Sequence, residues 1–465
     1  MHIYPSKASF QEWANRANVI PVYTDLAADT WTPVSVYHSL RRQKPAFLFE
    51  SVTGGEHISR YSFVGCDPRL ELYAFENETR ITHRDGTEEA YPTANDPLDT
   101  LEQIMAPYKV AEMPGMPRFH GGAVGFLAYD YISRVEPTVH LPDDDPLSMP
   151  LLYFMLADRV VIFDHAQQRL RLCVNAHLEE DTDSAYETAC ANLESLKQLL
   201  VNTDSLPVAD IPRESPIEVP QGNFTAVEFE KAVQQAKDYI HAGDAVQIVG
   251  SQRFEVPFER DGLDLYRALR TVNPSPYMFL LDTGSFSCIG ASPEVHVRLT
   301  GELCELRPIA GTRPRGESLE EDLAHEKELL ADEKECAEHL MLVDLARNDL
   351  GRVCAYGSVE VPEYMVVERY SHVMHMVSQV QGRLDAKYTP YDLLRATFPA
   401  GTVSGAPKIR AMQIISELEK TRRGPYAGAL GYIGYDGHLD SCIAIRTAIL
   451  KDNKLYIQSG AGIVA

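Results

Sequence analysis

SLEEDLAHEKELLADEKECAEHLMLVDL, residues 318–345, and HVMHMVSQV, residues 372–380, carry the two periodicities that decide the fold. In the first, Ser318 and Glu321 have the spacing of a capping box, which opens a long acidic helix running from Leu319 towards Leu345. In the second, Met374, Met376 and Val380 fall on one face and His375, Val377 and Gln379 on the other, the period of a strand, with His372 opposite His375. A long helix followed by an alternating strand argues for a mixed α+β architecture.

Working back along the chain, Thr225 and Glu228 form another capping box, and Phe229, Val233, Ala236 and Ile240 recur at helical spacing until Gly243 ends the pattern. The stretch Thr203 to Gly222 carries four prolines and neither periodicity, so it is read as the junction between an N-terminal region, 1–210, and a second region, 211–465. Before it, short apolar runs at Ala46 to Glu50, Gly121 to Ala128 and Arg159 to Phe163 sit among Gly, Pro and Asp turns, as strands do.

The 465 residues are 45% apolar and 24% charged, ordinary for a globular protein. The 43 Lys and Arg against 67 Asp and Glu give a net charge of -24, a field that repels nucleic acid and anionic lipid surfaces. An anionic substrate must then be met by local cations, a helix N-terminus or a metal. The eight cysteines form no CxxC pair and read as reduced thiols, and neither a secretion signal nor a long apolar span is present in this sequence, which suggests a cytosolic protein.

Glu335 and Glu338 lie three apart on the expected helix, where their repulsion is relieved by a hard divalent ion or simply by solvent. His375, among apolar strand neighbours, suits proton transfer near neutral pH or a satisfied place in the core. RPIAGTRPRG, Arg307 to Gly316, reads as a rigid turn whose backbone can approach an anion, and GTVSGAPK, Gly401 to Lys408, and SGAG, Ser459 to Gly462, share its small-residue character. NPSPYM, Asn273 to Met278, and GASPE, Gly290 to Glu294, suit either a small pocket or a surface turn.

In order, these segments resemble the signature of the chorismate-utilising enzymes, most closely the anthranilate synthase component I family. The matches include FES and RYSFVG between Phe49 and Gly65, GGAVGFLAYD at Gly121 to Asp130 and DAVQIVGSQRF at Asp244 to Phe254. After NPSPYM, GASPE and RPIAGTRPRG come EHLMLVDLARNDLGR at Glu338 to Arg352, YSHVMH at Tyr370 to His375 and GTVSGAPK. GPYAGALGY at Gly424 to Tyr432, AIRTA at Ala444 to Ala448 and SGAG complete the series.

The resemblance implies two large β-sheets forming a sandwich flanked by helices, with 1–210 contributing an effector site and 211–465 binding chorismate. It implies Mg²⁺ on Glu338 with Glu335 close by, holding the ring carboxylate of chorismate. His375 would move protons, with Thr402 beside it, and Arg446 and Tyr426 would meet the enolpyruvyl carboxylate, a charge-assisted pairing. Backbone at Gly311, Gly460 and Gly462 would line the same pocket. Relatives that make aminodeoxychorismate carry Lys where this chain has Ala310, and those that add water at C2 carry Lys where it has Gln247. Without those lysines ammonia is the expected nucleophile and anthranilate the product. Glu50, Ser51, Asn273, Pro274, Pro276, Tyr277 and Met278 match the family's tryptophan inhibition site. A glutamine amidotransferase subunit is the expected ammonia source. Members continue past SGAG into a helix with a second acidic metal ligand, so a sequence ending at Ala465 is expected to lack it, which keeps a non-catalytic tryptophan-binding regulator as an alternative.

Overall fold

The computed structural model describes residues 1–52, 60–178, 181–202, 205–208, 219–370 and 373–465. Its frame is two antiparallel sheets, one of eleven strands and one of twelve, with the strand Glu360–Arg369 paired beside the second. The α+β sandwich expected from the sequence is what forms.

Each sheet is built from both sides of the proline-rich junction. In the first, Ala46–Glu50 lies between Tyr61–Cys66 and Tyr277–Asp282, with Glu50 opposite Met278. In the second, Gly122–Leu127 pairs with Ala429–Gly434, Phe126 opposite Leu430. The junction itself, 203–222, falls largely outside the described residues.

Strands buried on both faces need apolar residues at successive positions, and these have them. Phe47 and Phe279 enter the layer between the sheets, with Phe63, Phe126, Tyr153 and Tyr432, while Leu48 and Leu280 pack on the outer face with Tyr37, Leu196 and Tyr266. Truncating a ring such as Phe279 in that middle layer would cost about 3–5 kcal/mol. A third cluster, with Leu72, Ala123, Leu156, Val343 and Leu394, seats the helix Glu333–Gly351 and the helix Pro390–Thr397 on the second sheet.

The capping box at Thr225 forms as read: its hydroxyl accepts from the Glu228 backbone N–H while the Glu228 carboxylate accepts from the Thr225 N–H, opening the helix Ala226–His241. The long acidic helix is different. It is two helices, Leu319–Ala331 and Glu333–Gly351, because Asp332 leaves the helical conformation (ψ 108°) and caps the second, its side chain accepting from the N–H groups of Lys334 and Glu335. Only half of the Ser318 box forms, since Glu321 turns to the Glu317 N–H.

The alternating strand is present as Val373–Arg383, with Met374, Met376 and Val380 fully buried; His372 lies outside the described residues. RPIAGTRPRG is not a turn. Ile309–Pro314 is a strand paired with Val373–Arg383, and the register shifts between Ala310 and Thr312, so Gly311 forms a bulge at φ +73°. Its arginines are committed to carboxylates, Arg307 to Glu368, Arg313 to Glu328 and Asp332, and Arg315 to Asp322, which removes them as anion receptors. The eight cysteines are free thiols. Among the described residues no helix is long and apolar enough to cross a membrane.

Candidate active site and a second cavity

The edge strand Ile309–Pro314, its neighbour Val373–Arg383 and the helix Glu333–Gly351 bring Gly311, His375 and Glu335 together. The bulge turns the Gly311 carbonyl towards His375, whose Nδ1 lies 3.2 Å from it and 3.0 Å from Thr312 Oγ1. A carbonyl only accepts, so Nδ1 carries the hydrogen and the neutral ring keeps its Nε2 lone pair. Burial lowers the His375 pKa; the Gly311 hydrogen bond opposes this and the nearby Arg446 cation adds to it. A Cβ at Gly311 would sit 3.3 Å from Glu335 Oε2 and 3.0 Å from Leu329 Cδ1, so both the positive φ and the space select glycine.

Glu338, one turn beyond Glu335, accepts a hydrogen bond from Gln247 Nε2 at 2.9 Å. Gln247 belongs to the strand Gln247–Pro257, paired with Lys454–Ile463, where Ile248 faces Ile463 and Ser251 faces Gly460. A Cβ at Gly462 would lie 2.7 Å from Gln247 Nε2, and one at Gly460 2.6 Å from Tyr426 Oη. The two glycines thus let the Gln247 and Tyr426 side chains cross the strand, Gln247 reaching the helix that carries Glu335 and Glu338. Burial raises the Tyr426 pKa to about 12, so its hydroxyl keeps its proton.

Thr402 lies in the short 3-10 turn Gly401–Val403, against Leu342 and Leu345 of the Glu333–Gly351 helix. Its hydroxyl donates to Glu294 Oε1 at 2.7 Å. Glu294 is the residue that sequence reading missed as chemistry. It was quoted only as the end of GASPE, yet it is 5% exposed, and burial pushes its pKa up to about 8 against the pull of the Thr402 hydroxyl, the Ile309 N–H and Arg446. Near neutral pH it is a carboxylic acid. Arg446, at φ +50° and exposed, lies near Glu294 and sends one guanidinium N–H to Asn273 Oδ1 at 3.4 Å. A neutral base at His375, the protonated Glu294 and the Arg446 cation thus neighbour one another, with the carboxylates of Glu335 and Glu338 one turn apart on one helix face. Among the described residues no group of three or more His, Cys, Asp or Glu is arranged to share a metal.

A separate cavity of about 410 Å³ opens beside the first sheet, lined by Glu50, Ser51, Pro276, Tyr277 and Met278. Phe49, Tyr61, Phe63 and Tyr432 give it aromatic walls, and Arg60, Arg118, Arg298 and Asp440 give it charge of both signs. Tyr277 Oη donates to Asp440 and accepts from Arg298, which closes on Asp440, a triangle that fixes one wall. Glu50 accepts from Tyr266 and Arg270, while the buried Ser51 hydroxyl has no hydrogen-bond partner among the described residues. Of the expected effector residues, Asn273 and Pro274 do not line this cavity; Asn273 instead touches Arg446.

Residues 44–465 match the family described as chorismate binding enzyme. The chain belongs to the chorismate-binding enzymes. Within this family it is 44% identical over 467 residues to anthranilate synthase component 1 of Acetivibrio thermocellus, covering 99% of this chain and 94% of the relative. It is 46% identical to the protein of that name from Pseudomonas aeruginosa, covering 97% and 92%. The crystal structure of anthranilate synthase component I from Streptococcus pneumoniae TIGR4 superposes with a TM-score of 0.75 at 37% identity, covering 94% of each chain. The menaquinone-specific isochorismate synthase of Escherichia coli, 16% identical with a TM-score of 0.70 over 98% of this chain and 93% of that one, shares the fold.

Proposed function

We propose that this chorismate-binding enzyme converts chorismate and ammonia to anthranilate, pyruvate and water, and that tryptophan inhibits it. One observation carries the choice of nucleophile: Gln247 and the buried Ala310 occupy the positions at which the resemblance implies lysine in lysine-dependent relatives, and Gln247 donates a hydrogen bond to Glu338. The nucleophile must then come from outside, and relatives named anthranilate synthase component 1 at 44–46% identity agree with ammonia.

Attack of ammonia forms the C2–N bond, shifts the two ring double bonds and expels the C4 hydroxyl. Glu294, protonated near neutral pH and oriented by Thr402, is the acid suited to deliver a proton to that hydroxyl so that it leaves as water. Aromatisation then requires loss of the C2 proton with cleavage of the C3–O bond to the enolpyruvyl group. His375, neutral and with Nε2 free of the Gly311 hydrogen bond, is the base suited to take it. Arg446 and Tyr426, a cation and a protonated phenol in an otherwise acidic chain, are the residues we assign to the enolpyruvyl carboxylate. The Glu335 and Glu338 pair fits Mg²⁺, which takes one or two protein carboxylates and keeps several waters, and the space left free by Gly311 lies beside Glu335. When bound, the ion supplies a positive anchor for the ring carboxylate.

The cavity at Glu50 and Ser51 suits an aromatic amino acid, offering aromatic walls, carboxylates for an ammonium and arginines for a carboxylate in a volume typical of ligand sites. The name component 1 borne by the relatives supports a partner subunit, which we assign as the glutamine amidotransferase that releases ammonia. The test mixes the purified chain with chorismate, ammonium salt and Mg²⁺ and follows anthranilate fluorescence. Magnesium-dependent product that tryptophan suppresses is expected; intact chorismate, or isochorismate in place of anthranilate, would overturn the assignment.

A further inference from the structure

Arg423 is among the largest fully buried side chains in the protein, 2% exposed, and none of the site residues discussed above requires it by chemistry. Its guanidinium is held by Glu419 through two hydrogen bonds, Nε to Oε2 at 2.8 Å and one terminal nitrogen to Oε1 at 2.6 Å. What distinguishes it from an ordinary buried ion pair is where the remaining donors go. One terminal nitrogen donates to the carbonyl of Val403 at 2.8 Å, the residue after Thr402. The other donates to the carbonyl of Val249 at 2.7 Å, two residues after Gln247. The cation's faces lie against two rings, Tyr129 at 4.4 Å and Tyr426 at 5.7 Å.

Glu419 extends the same grip to the remaining wall. Its Oε1 accepts from both the N–H and the hydroxyl of Ser251, each at 2.8 Å, and that hydroxyl in turn accepts from Gln458 Nε2 at 2.8 Å, two residues before Gly460. The backbone beneath Arg423 is pinned as well, since the buried Asp130 accepts from the N–H groups of Arg423 and Gly424. One ion pair therefore touches all four segments that carry Gln247, Thr402, Tyr426 and Gly460.

We infer that Arg423 and Glu419 form a positioning pair for the reaction, setting the separation between the Thr402 turn, the Gln247 strand and the Tyr426 ring. Replacing a buried ion pair by apolar residues of similar volume is often neutral or stabilising, so the hydrogen bonds that Arg423 and Glu419 make with the site segments, rather than stability, carry the inference. A planar fork with five donors can hold a carboxylate and two carbonyls at once, which an ammonium on a flexible stem cannot do with the same geometry. Displacing a substrate-holding group by about 1 Å costs on the order of 10²-fold in rate. The inference rests on the proposed amination of chorismate, and wild-type chain assayed in parallel separates the two ideas.

The experiment compares Arg423→Lys and Ser251→Ala with wild type in the full chain, supplied with chorismate, ammonium salt and Mg²⁺. Thermal unfolding and tryptophan affinity at the distant cavity report whether each variant is folded. In folded Arg423→Lys, kcat/KM for chorismate should fall about 10- to 100-fold, the larger part in kcat, with tryptophan affinity unchanged. Arg423→Met should lose more than Arg423→Lys, and Ser251→Ala should lose about threefold to tenfold. Wild-type kcat and KM in folded Arg423→Lys overturn the inference, and where that variant fails to fold, wild-type kinetics in Ser251→Ala overturn it. Absence of anthranilate from the wild-type chain counts against the amination reading instead.

Discussion

Replacing Glu294 with glutamine should make the protein more stable and much less active, with a stability gain that grows with pH. The wild-type carboxyl goes from an ordinary value of 4.5 to about 8, chiefly because its site desolvates the charged form. At about 1.36 kcal/mol per pH unit, the full effect is roughly 5 kcal/mol. The sign follows from proton uptake. Between pH 4.5 and 8 the folded state holds a proton that the unfolded state has released, so wild-type stability is intact below that window and is lost as pH rises through it. The amide cannot ionise but keeps an acceptor for the Thr402 hydroxyl. Relative to its value at pH 4.5, the advantage of Glu294→Gln should be about 3 kcal/mol at pH 7 and level off near 5 kcal/mol above pH 8. Urea unfolding at pH 5, 7 and 8.5 measures it, and anthranilate fluorescence on the same samples should show kcat reduced by about 10²- to 10⁴-fold, the usual contribution of a general acid. A stability difference that stays flat from pH 5 to 8.5 would refute the buried-acid reasoning, and near-normal kcat would remove Glu294 from the mechanism.

Other outcomes follow from the same geometry. His375→Ala should abolish turnover while tryptophan still binds, and the wild-type kcat/KM profile should lose activity on acidification only below the ordinary histidine range near 6.5, because the depressed pKa keeps the ring neutral; both are read from initial rates across pH. Ser51→Ala removes a buried hydroxyl that lines the effector cavity, so the tryptophan concentration for half-inhibition should rise about 10- to 100-fold with kcat unchanged, as a steady-state titration will show. Gly311→Ala forces a side chain into the left-handed region and against Leu329 and Glu335, which should cost about 1–3 kcal/mol in thermal unfolding and raise the Mg²⁺ concentration needed for half-maximal rate.

Local pattern disclosed the elements wherever local physics decides them. The Thr225 box marks the start of its helix because both reciprocal bonds lie within four residues, and Val373–Arg383 follows its alternation because one face had to be apolar. Asp332 escaped notice as a break because acidic residues crowd both helices, and a cap among like residues has no compositional contrast. RPIAGTRPRG misled in the other direction, since Gly and Pro mark a bulged edge strand as readily as a turn. Glu294 acquires its chemistry from a buried setting in which even its polar partners Thr402, Ile309 and Arg446 lie 108, 15 and 152 residues away, and no motif of five residues contains that information. The resemblance supplied most of the constellation, while the layout of the effector turn, with Asn273 reaching Arg446 rather than the cavity, came from coordinates alone.

The interleaving of the two halves makes the cavity at Glu50 and Ser51, proposed to take tryptophan, a joint. One side is Glu50 and Ser51, at the end of a strand from the first half; the other is Pro276, Tyr277 and Met278, at the start of the adjacent strand from the second, with Glu50 opposite Met278 in register. A chain interrupted within 203–222 should therefore behave as two pieces of a spliced rope, held by the lay of the strands after the backbone between them is cut. Co-expressed fragments should reassemble into one particle, and tryptophan, seated across the splice, should slow their exchange with free fragments.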